Sequence, residues 1–297
     1  MIETSLIIVN YNGAALLPAC LDSALATIPT TAEIVVVDNA SQDASLDVLA
    51  AYGVAVRVVA VPRNLGFGRA CNLGVAAARG DTLVFLNPDV SFPTGWLAPL
   101  LDAVHSDLSI GFACPEMLWP GQPLPPRDGS ATAVRAMLPG CGLTARRAAW
   151  SAIGGFDERM FLYWEDSEIC WRAWLLGWKV VVAHHSFVYH TRSATTAASG
   201  CWDGERARNS LLTYLTLLRW RVTTPFATIL AAKTLVKYAR TGDPALIDAW
   251  RWNLRHRGAT LARRRALAQR FIGDRAALER LIAQHARQFQ VDRQAHA

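Results

Sequence analysis

Four short apolar, β-branched runs, each followed within three residues by Asn or Asp, constrain this chain more than any other feature. Leu6–Val9 (LIIV) leads into Asn10-Tyr11-Asn12-Gly13, Glu33–Val37 (EIVVV) into Asp38-Asn39-Ala40-Ser41, and Thr82–Leu86 (TLVFL) into Asn87-Pro88-Asp89. The remaining run, Val54–Val61, precedes the turn Asn64-Leu65-Gly66-Phe67-Gly68. Ala14–Ala26 and Arg69–Ala78 carry apolar residues at helical spacing, and Ser41 and Asp43 can cap a helix through Leu49. Continuous apolar strands alternating with helices predict a parallel sheet covered on both faces. Ligands of open sheets of this kind bind outside the carboxyl ends of the strands. Asn10, Asp38, Asn64 and Asp89 all fall there.

Beyond this region the pattern changes. Residues 115–142 are rich in Pro and Gly and read as a long loop. Asp157–Gly177 has helical spacing and carries Glu165, Asp166 and Glu168; Lys179–Ala183 reads as a strand, followed by His184, His185 and His190. From about Gly204 the chain is helical in pattern and rich in Arg. Residues 1–202 hold 12 Lys+Arg against 17 Asp+Glu, and residues 203–297 hold 18 against 7. A mildly acidic body, 1–202, therefore precedes a strongly basic helical extension, 203–297. Such an extension suits an anionic membrane surface or nucleic acid. No nucleic-acid motif accompanies the charge, so nucleic acid is not expected as a partner.

The six cysteines (20, 71, 114, 141, 170 and 201) form no Cys-x-x-Cys pair, which fits buried, reduced thiols in a cytoplasmic protein rather than a zinc site. The first residues, MIETSLIIVNYNG, lack the basic segment of a signal peptide, and Val222–Ala232 is too short to span a bilayer.

Taken singly, each polar motif has a plain reading beside a chemical one. Asn87-Pro88-Asp89 is an Asx-type turn or a carboxylate site for a divalent cation. Trp164-Glu165-Asp166 is a solvated helix face or a general base among aromatics. A histidine near a strand end is structural or a metal ligand. Asp38 is a turn residue or a contact to a base or ribose.

Taken in order, the motifs resemble those of family-2 inverting glycosyltransferases with the GT-A fold. The residues that carry the resemblance are Ser5–Asn12, Val35–Asp43, Asn64–Gly74, Phe85–Val90 and Gly154–Val180, within about residues 4–195. The pattern is most similar to the bacterial rhamnosyltransferase-type branch that builds surface polysaccharides. The resemblance implies an α/β fold, a Rossmann-like mixed sheet flanked by helices, with a C-terminal helical extension. It implies nucleotide contacts from Tyr11, Asn12, Asp38, Asn39, Asn64 and Asn72. It assigns Mg²⁺ or Mn²⁺ to Asp89, where Asn87 replaces the first carboxylate of the family's Asp-x-Asp element, with His190 as a further ligand. Asp166 matches the family's base, with Glu165 as its less favoured neighbour, and Trp164 is a candidate sugar or acceptor contact.

The implied reaction moves a sugar, with L-rhamnose from dTDP-rhamnose as the leading choice, from a dTDP- or UDP-sugar to a hydroxyl of a glycan or polyprenyl-linked glycan. The implied location is the cytoplasm, peripheral on the cytoplasmic face of the inner membrane. A catalytically silent assembly factor on the same fold is the non-enzymatic alternative. A pyrophosphorylase or a dinucleotide-dependent dehydrogenase would need a glycine-rich phosphate loop after the first strand, and Asn10-Tyr11-Asn12-Gly13 is not one.

Overall fold

A computed structural model describes residues 1–191 and 203–295, with side chains of the last helix described to residue 285. Cys201 and the expected boundary after residue 202 lie outside the described residues. The other five cysteines are buried free thiols.

The first half is an alternation of strands and helices: β1 (Thr4–Asn10), α1 (Leu17–Thr27), β2 (Ala32–Asp38), α2 (Ser45–Ala50), β3 (Val56–Ala60), α3 (Phe67–Ala77) and β4 (Thr82–Leu86). β1 pairs in parallel with β2 and β4, and β2 with β3. In β1, β2 and β4 successive side chains point to opposite faces and both faces are covered, whereas the edge strand β3 is largely exposed. Leu6, Ile8, Val36, Val84 and Leu86 pack toward α1; Ile7, Val9, Val37 and Phe85 pack toward α3. That is why these strands read as unbroken apolar runs.

The second half makes the sheet mixed. It contains β5 (Val90–Ser91), α4 (Leu97–His105), β6 (Ile110–Leu118), β7 (Thr132–Val134), β8 (Thr144–Arg146), α5 (Arg147–Ile153), α6 (Glu165–Leu175) and β9 (Lys179–His190). Among the described residues the sheet has nine strands in the order β3-β2-β1-β4-β8-β6-β9-β5, with β7 on β9. β8 is antiparallel to β4 and β6, while β6 and β9 run parallel.

Three expectations change here. The loop expected over 115–142 is shorter, because β6 runs on through Pro115 to Leu118. The ladder breaks register between Pro115 and Glu116, a place where a strand tolerates a residue with no N–H. The strand expected over 179–183 continues to His190. The helix expected over 157–177 begins only at Glu165, because Tyr163 (φ 66°) and Trp164 (φ 73°) are left-handed. Glu165, Asp166 and Glu168 thus occupy the first turn of α6, where the helix dipole favours negative charge.

The C-terminal helices are α7 (Asp203–Leu217), α8 (Trp220–Thr241), α9 (Ala245–Arg255), α10 (Arg257–Ala268) and α11 (Arg275–Ala295). They are tied to the body through buried charge and backbone contacts. Arg263 lies 3.4 Å from Asp157 and 3.7 Å from Glu168, whose carboxylate also holds Arg172 in a buried ion pair. Ile272 and Gly273 both donate to the carbonyl of Leu175. A Cβ on Gly273 would come within 2.1 Å of the Trp174 carbonyl oxygen, so only glycine lets the chain pass. Among the described residues no helix is long and apolar enough to cross a membrane.

Candidate active site

The carboxyl ends of β1, β2 and β4 open on a cleft of about 380 Å³, within the range of small-molecule sites. Tyr11, Asn12, Asn39, Asn64, Asn87 and Asp89 line it, together with Phe67, Phe161 and Leu162. Tyr11 presents its ring at 48% exposure, free to stack on a planar ligand.

Parallel pairing of β1 with β2 sets Asn10 level with Asp38 and lets the two following loops cross-link. Asn10 Nδ2 donates to Asp38 Oδ1 (3.0 Å) and to Ser41 Oγ (3.1 Å), and the Ser41 N–H donates to Asp38 Oδ2 (3.1 Å). Asp38 is only 1% exposed, so it lies beneath the cleft floor rather than on its surface. Asn39 and Asn64 brace the next loop: Asn39 Nδ2 donates to Asn64 Oδ1 (2.9 Å), and the Leu65 N–H donates to Asn39 Oδ1 (2.8 Å). Gly66 (φ 80°) follows, because a Cβ there would stand 2.0 Å from the carbonyl oxygen of Phe161. Asn72 is engaged elsewhere. Its amide donates to the Phe156 carbonyl and accepts from the Phe156 N–H.

On the other side of the cleft, β5 pairs Val90 with His190. This register brings His190 Nε2 to 3.1 Å from Asp89 Oδ1. The Thr191 N–H and hydroxyl both donate to the Asp89 carbonyl at 3.0 Å, which fixes the strand end. His190 Nδ1 is buried without a partner. A carboxylate beside an imidazole with an unused nitrogen suits Mg²⁺ or Mn²⁺, ions that keep diphosphate oxygens as further ligands. Among the described residues no cluster of three or more His, Cys, Asp or Glu could hold a metal alone. The other two histidines are placed elsewhere: His184 pairs with Glu116 at 2.6 Å, and His185 bonds the Asp128 carbonyl.

The two carboxylates at the start of α6 differ in surroundings. Asp166 is half-buried; its Oδ1 accepts from the Ser167 N–H (2.6 Å) and hydroxyl (3.2 Å), and its Oδ2 from the Gly140 N–H (3.2 Å). Gly140 lies beside both Asp166 and Phe67, a cleft residue: a Cβ there would stand 3.4 Å from Phe67 Cε1 and 3.7 Å from Asp166 Cβ, and Asp166 itself is not among the residues lining the cleft. Glu165 is 7% exposed, and its Oε2 has no partner. Burial, and then the neighbouring Asp166 charge, push the Glu165 carboxyl up to about 8. Burial raises Asp166 as well, but its three donors favour the ionised form. Near neutral pH Glu165 therefore holds a proton. Trp164 turns inward, edge-to-face on Trp171, with its indole N–H buried and unpartnered.

Reasoning from the sequence did not single out Phe161, Leu162 or Gly140, which reach the site from distant loops. Nor did it give Asn10 a role, although Asn10 Oδ1 is a buried acceptor without a partner under the cleft. Four of the nine such atoms among the described residues belong to Asn10, Trp164, Glu165 and His190. Unsatisfied polar groups are costly in a fold, and their concentration marks a site built for ligands.

Comparison with known proteins bears on the fold. Residues 5–116 match the family model described as glycosyl transferase family 2. The N-acetylglucosaminyl-diphospho-decaprenol L-rhamnosyltransferase of Mycobacterium tuberculosis is 28% identical over 207 residues, covering 55% of this chain and 67% of that protein. A mannosyltransferase from Pyrobaculum calidifontis, solved with GDP-Man and Mn²⁺, superposes with a TM-score of 0.58 at 18% identity over 95% of this chain and 86% of its own. GalNAc-T7, solved with UDP, GalNAc and Mn²⁺, superposes with a TM-score of 0.61 at 20% identity over 73% of this chain, which spans about half (48%) of its length. These neighbours share the GT-A fold, the architecture expected from the motifs.

Proposed function

We propose that this chain, whose residues 5–116 form a family 2 glycosyltransferase domain, transfers a sugar from a nucleotide diphosphate to an acceptor hydroxyl with inversion at the anomeric carbon. The observation that carries the reading is the Asp89–His190 pair at one side of a strand-end cleft lined by Tyr11, Asn12, Asn39 and Asn64. Tyr11 stacks on the base, while Asn12, Asn39 and Asn64 shape the nucleoside pocket. Asp89 and His190 would hold a divalent cation against the diphosphate; when bound, it neutralises charge on the departing nucleoside diphosphate. Asp166 takes the acceptor proton as that oxygen attacks, a single displacement with no covalent sugar–enzyme intermediate. Glu165, protonated, does not compete for that proton.

The donor we favour is dTDP-L-rhamnose and the acceptor a glycan or polyprenyl-linked glycan, on the strength of the mycobacterial relative's name. A coupled assay of nucleoside diphosphate release from dTDP-rhamnose, UDP-GlcNAc and GDP-mannose, with and without Mn²⁺, tests the reading. Release from none of them, with or without a glycan acceptor, would favour the silent assembly factor.

Asp38 supports nucleotide binding from below. Asp38→Asn removes the charge that orients Asn10 and the Ser41 loop. Affinity for dTDP or UDP is then expected to fall by about 1.5–3 kcal/mol, the scale of a hydrogen bond to a charged group. Unchanged affinity by calorimetry would remove Asp38 from the nucleotide site.

The membrane reading rests on α8. Its exposed face carries Ile229, Leu235 and Val236 between Arg221, Lys233 and Arg240. Apolar side chains flanked by cations suit the interface of an anionic bilayer, where a lipid-linked acceptor would lie. The protein is expected to sediment with vesicles containing anionic lipid at low salt and to release as salt screens the attraction. Equal retention on neutral and anionic vesicles would refute electrostatic docking.

A further inference from the structure

The C-terminal helices reach the acidic pair through one buried amide. Asn209, on α7, is 0% exposed. Its Nδ2 donates to the carbonyls of Leu162 (3.0 Å) and Tyr163 (2.8 Å), the residues directly before Trp164-Glu165-Asp166. Its Oδ1 is held in turn by Arg208 Nε (3.1 Å), and the same guanidinium donates to the Arg159 carbonyl (3.3 Å). Arg206 lies over the Tyr163 ring at 4.3 Å. Three residues of one helix therefore grip the segment 159–163.

That segment has reason to need holding. Tyr163 and Trp164 are consecutive non-glycine residues in the left-handed region. Each is uphill by roughly 1–2 kcal/mol relative to ordinary backbone, and such conformations persist only where the surroundings fix them. The carbonyls that Asn209 caps flank the start of this turn. On its other side the segment touches the cleft: the Phe67 N–H donates to the Phe161 carbonyl at 2.9 Å, and Phe161 and Leu162 line the cavity. One short stretch thus forms the cleft wall, makes the left-handed turn and opens α6 at Glu165 and Asp166. It is clamped between α3 and α7.

We propose that Asn209 is a positioning residue for sugar transfer: from the C-terminal extension it fixes the left-handed turn that sets Asp166 relative to the donor cleft. The extension is then part of the active site's scaffold, whatever surface it also meets. This inference rests on the reading of Asp166 as base.

The test compares Asn209→Ala with Asn253→Ala in the full chain. Asn253, on α9, is a second buried amide. It donates to the Arg208 and Ala249 carbonyls rather than to the backbone of 159–166. Asn209→Ala loses two donated hydrogen bonds and one accepted from Arg208, and Asn253→Ala loses two donated ones, so melting temperature reports the structural cost of each. Asn209→Ala alone is expected to lower kcat by about 10²-fold, the scale of a misplaced catalytic group, with donor KM changed less than about threefold. Hydrogen exchange in the peptide spanning 160–168 should rise in Asn209→Ala and not in Asn253→Ala. Wild-type kcat in Asn209→Ala, equal kcat losses in the two variants, or unchanged exchange at 160–168 would each overturn the proposal. If Asn209→Ala does not fold, Asn209→Ser, which keeps one short donor, takes its place under the same criteria. Absence of transfer by the wild type would refute the parent reading instead, and the exchange arm would still decide whether Asn209 holds the turn.

Discussion

Replacing Asp166 by Asn is expected to lower turnover by about 10²–10⁴-fold, the usual contribution of a general base, while nucleotide affinity stays near that of the wild type. The side chain keeps its shape, but its single oxygen can face either the Ser167 donors or the Gly140 N–H, so one side loses its acceptor. The lost base acts on the acceptor hydroxyl rather than on the diphosphate, so nucleotide affinity does not depend on it. Glu165→Gln should be milder, because Glu165 already carries a proton at neutral pH. The pair also separates by pH. The folded-state value for Glu165, about 8, stands above its ordinary value of 4.5. Its contribution to stability is therefore complete below about 4.5 and is lost as pH rises through about 8, because the folded state binds the extra proton. Gln cannot titrate, so Glu165→Gln should gain melting temperature relative to wild type as pH is raised from 6 to 9. Kinetics and melting curves for both variants across that range check the assignment. A dead Glu165→Gln beside an active Asp166→Asn would reverse the roles.

The strand ends were legible because burial on both faces forces unbroken β-branched runs, so the polar residue that closes each run stands out. Asn10, Asp38, Asn64 and Asp89 could be placed that way. What those side chains do could not. Asp38 and Asn72 look alike as strand-end and helix polar residues, yet Asp38 is buried under the cleft and Asn72 clasps the Phe156 backbone 84 residues away. The start of α6 was misplaced because apolar spacing continues through Met160–Trp164, and nothing in Tyr163 or Trp164 announces a left-handed backbone. Left-handed turns are legible when glycine supplies them and illegible when a distant partner does; here a contributor is Asn209, 46 residues on from Tyr163. The Gly140 contact to Asp166 was hidden for the same reason, since it joins a Pro/Gly-rich segment to a helix 26 residues later. Local pattern therefore yields the positions of candidate groups. Their ionisation and exposure depend on contacts across the sheet.

Asp89→Ala is expected to abolish the divalent-ion-dependent part of nucleotide binding, and most of the activity with it. With nucleotide about 100-fold above Kd, binding stabilises the folded state by about 2.7 kcal/mol. In a chain of this size that raises Tm by roughly 4 °C. In the wild type this shift should require Mn²⁺ or Mg²⁺, because diphosphate charge next to Asp89 is repelled until a cation lies between them. In Asp89→Ala the ion should add little, since His190 loses its carboxylate neighbour and one side chain is left to hold the metal. His190→Ala should give a smaller loss, because the carboxylate remains. Asn87, two residues before Asp89, carries no charge, so the proposed site has one protein charge fewer than a pair of carboxylates at these positions would supply. Weak metal affinity without nucleotide and strong mutual dependence of the two ligands follow from that. Melting curves with UDP or dTDP alone, Mn²⁺ alone and both together measure the dependence without recourse to activity. Equal shifts in wild type and Asp89→Ala with both ligands present would show that Asp89 does not hold the ion.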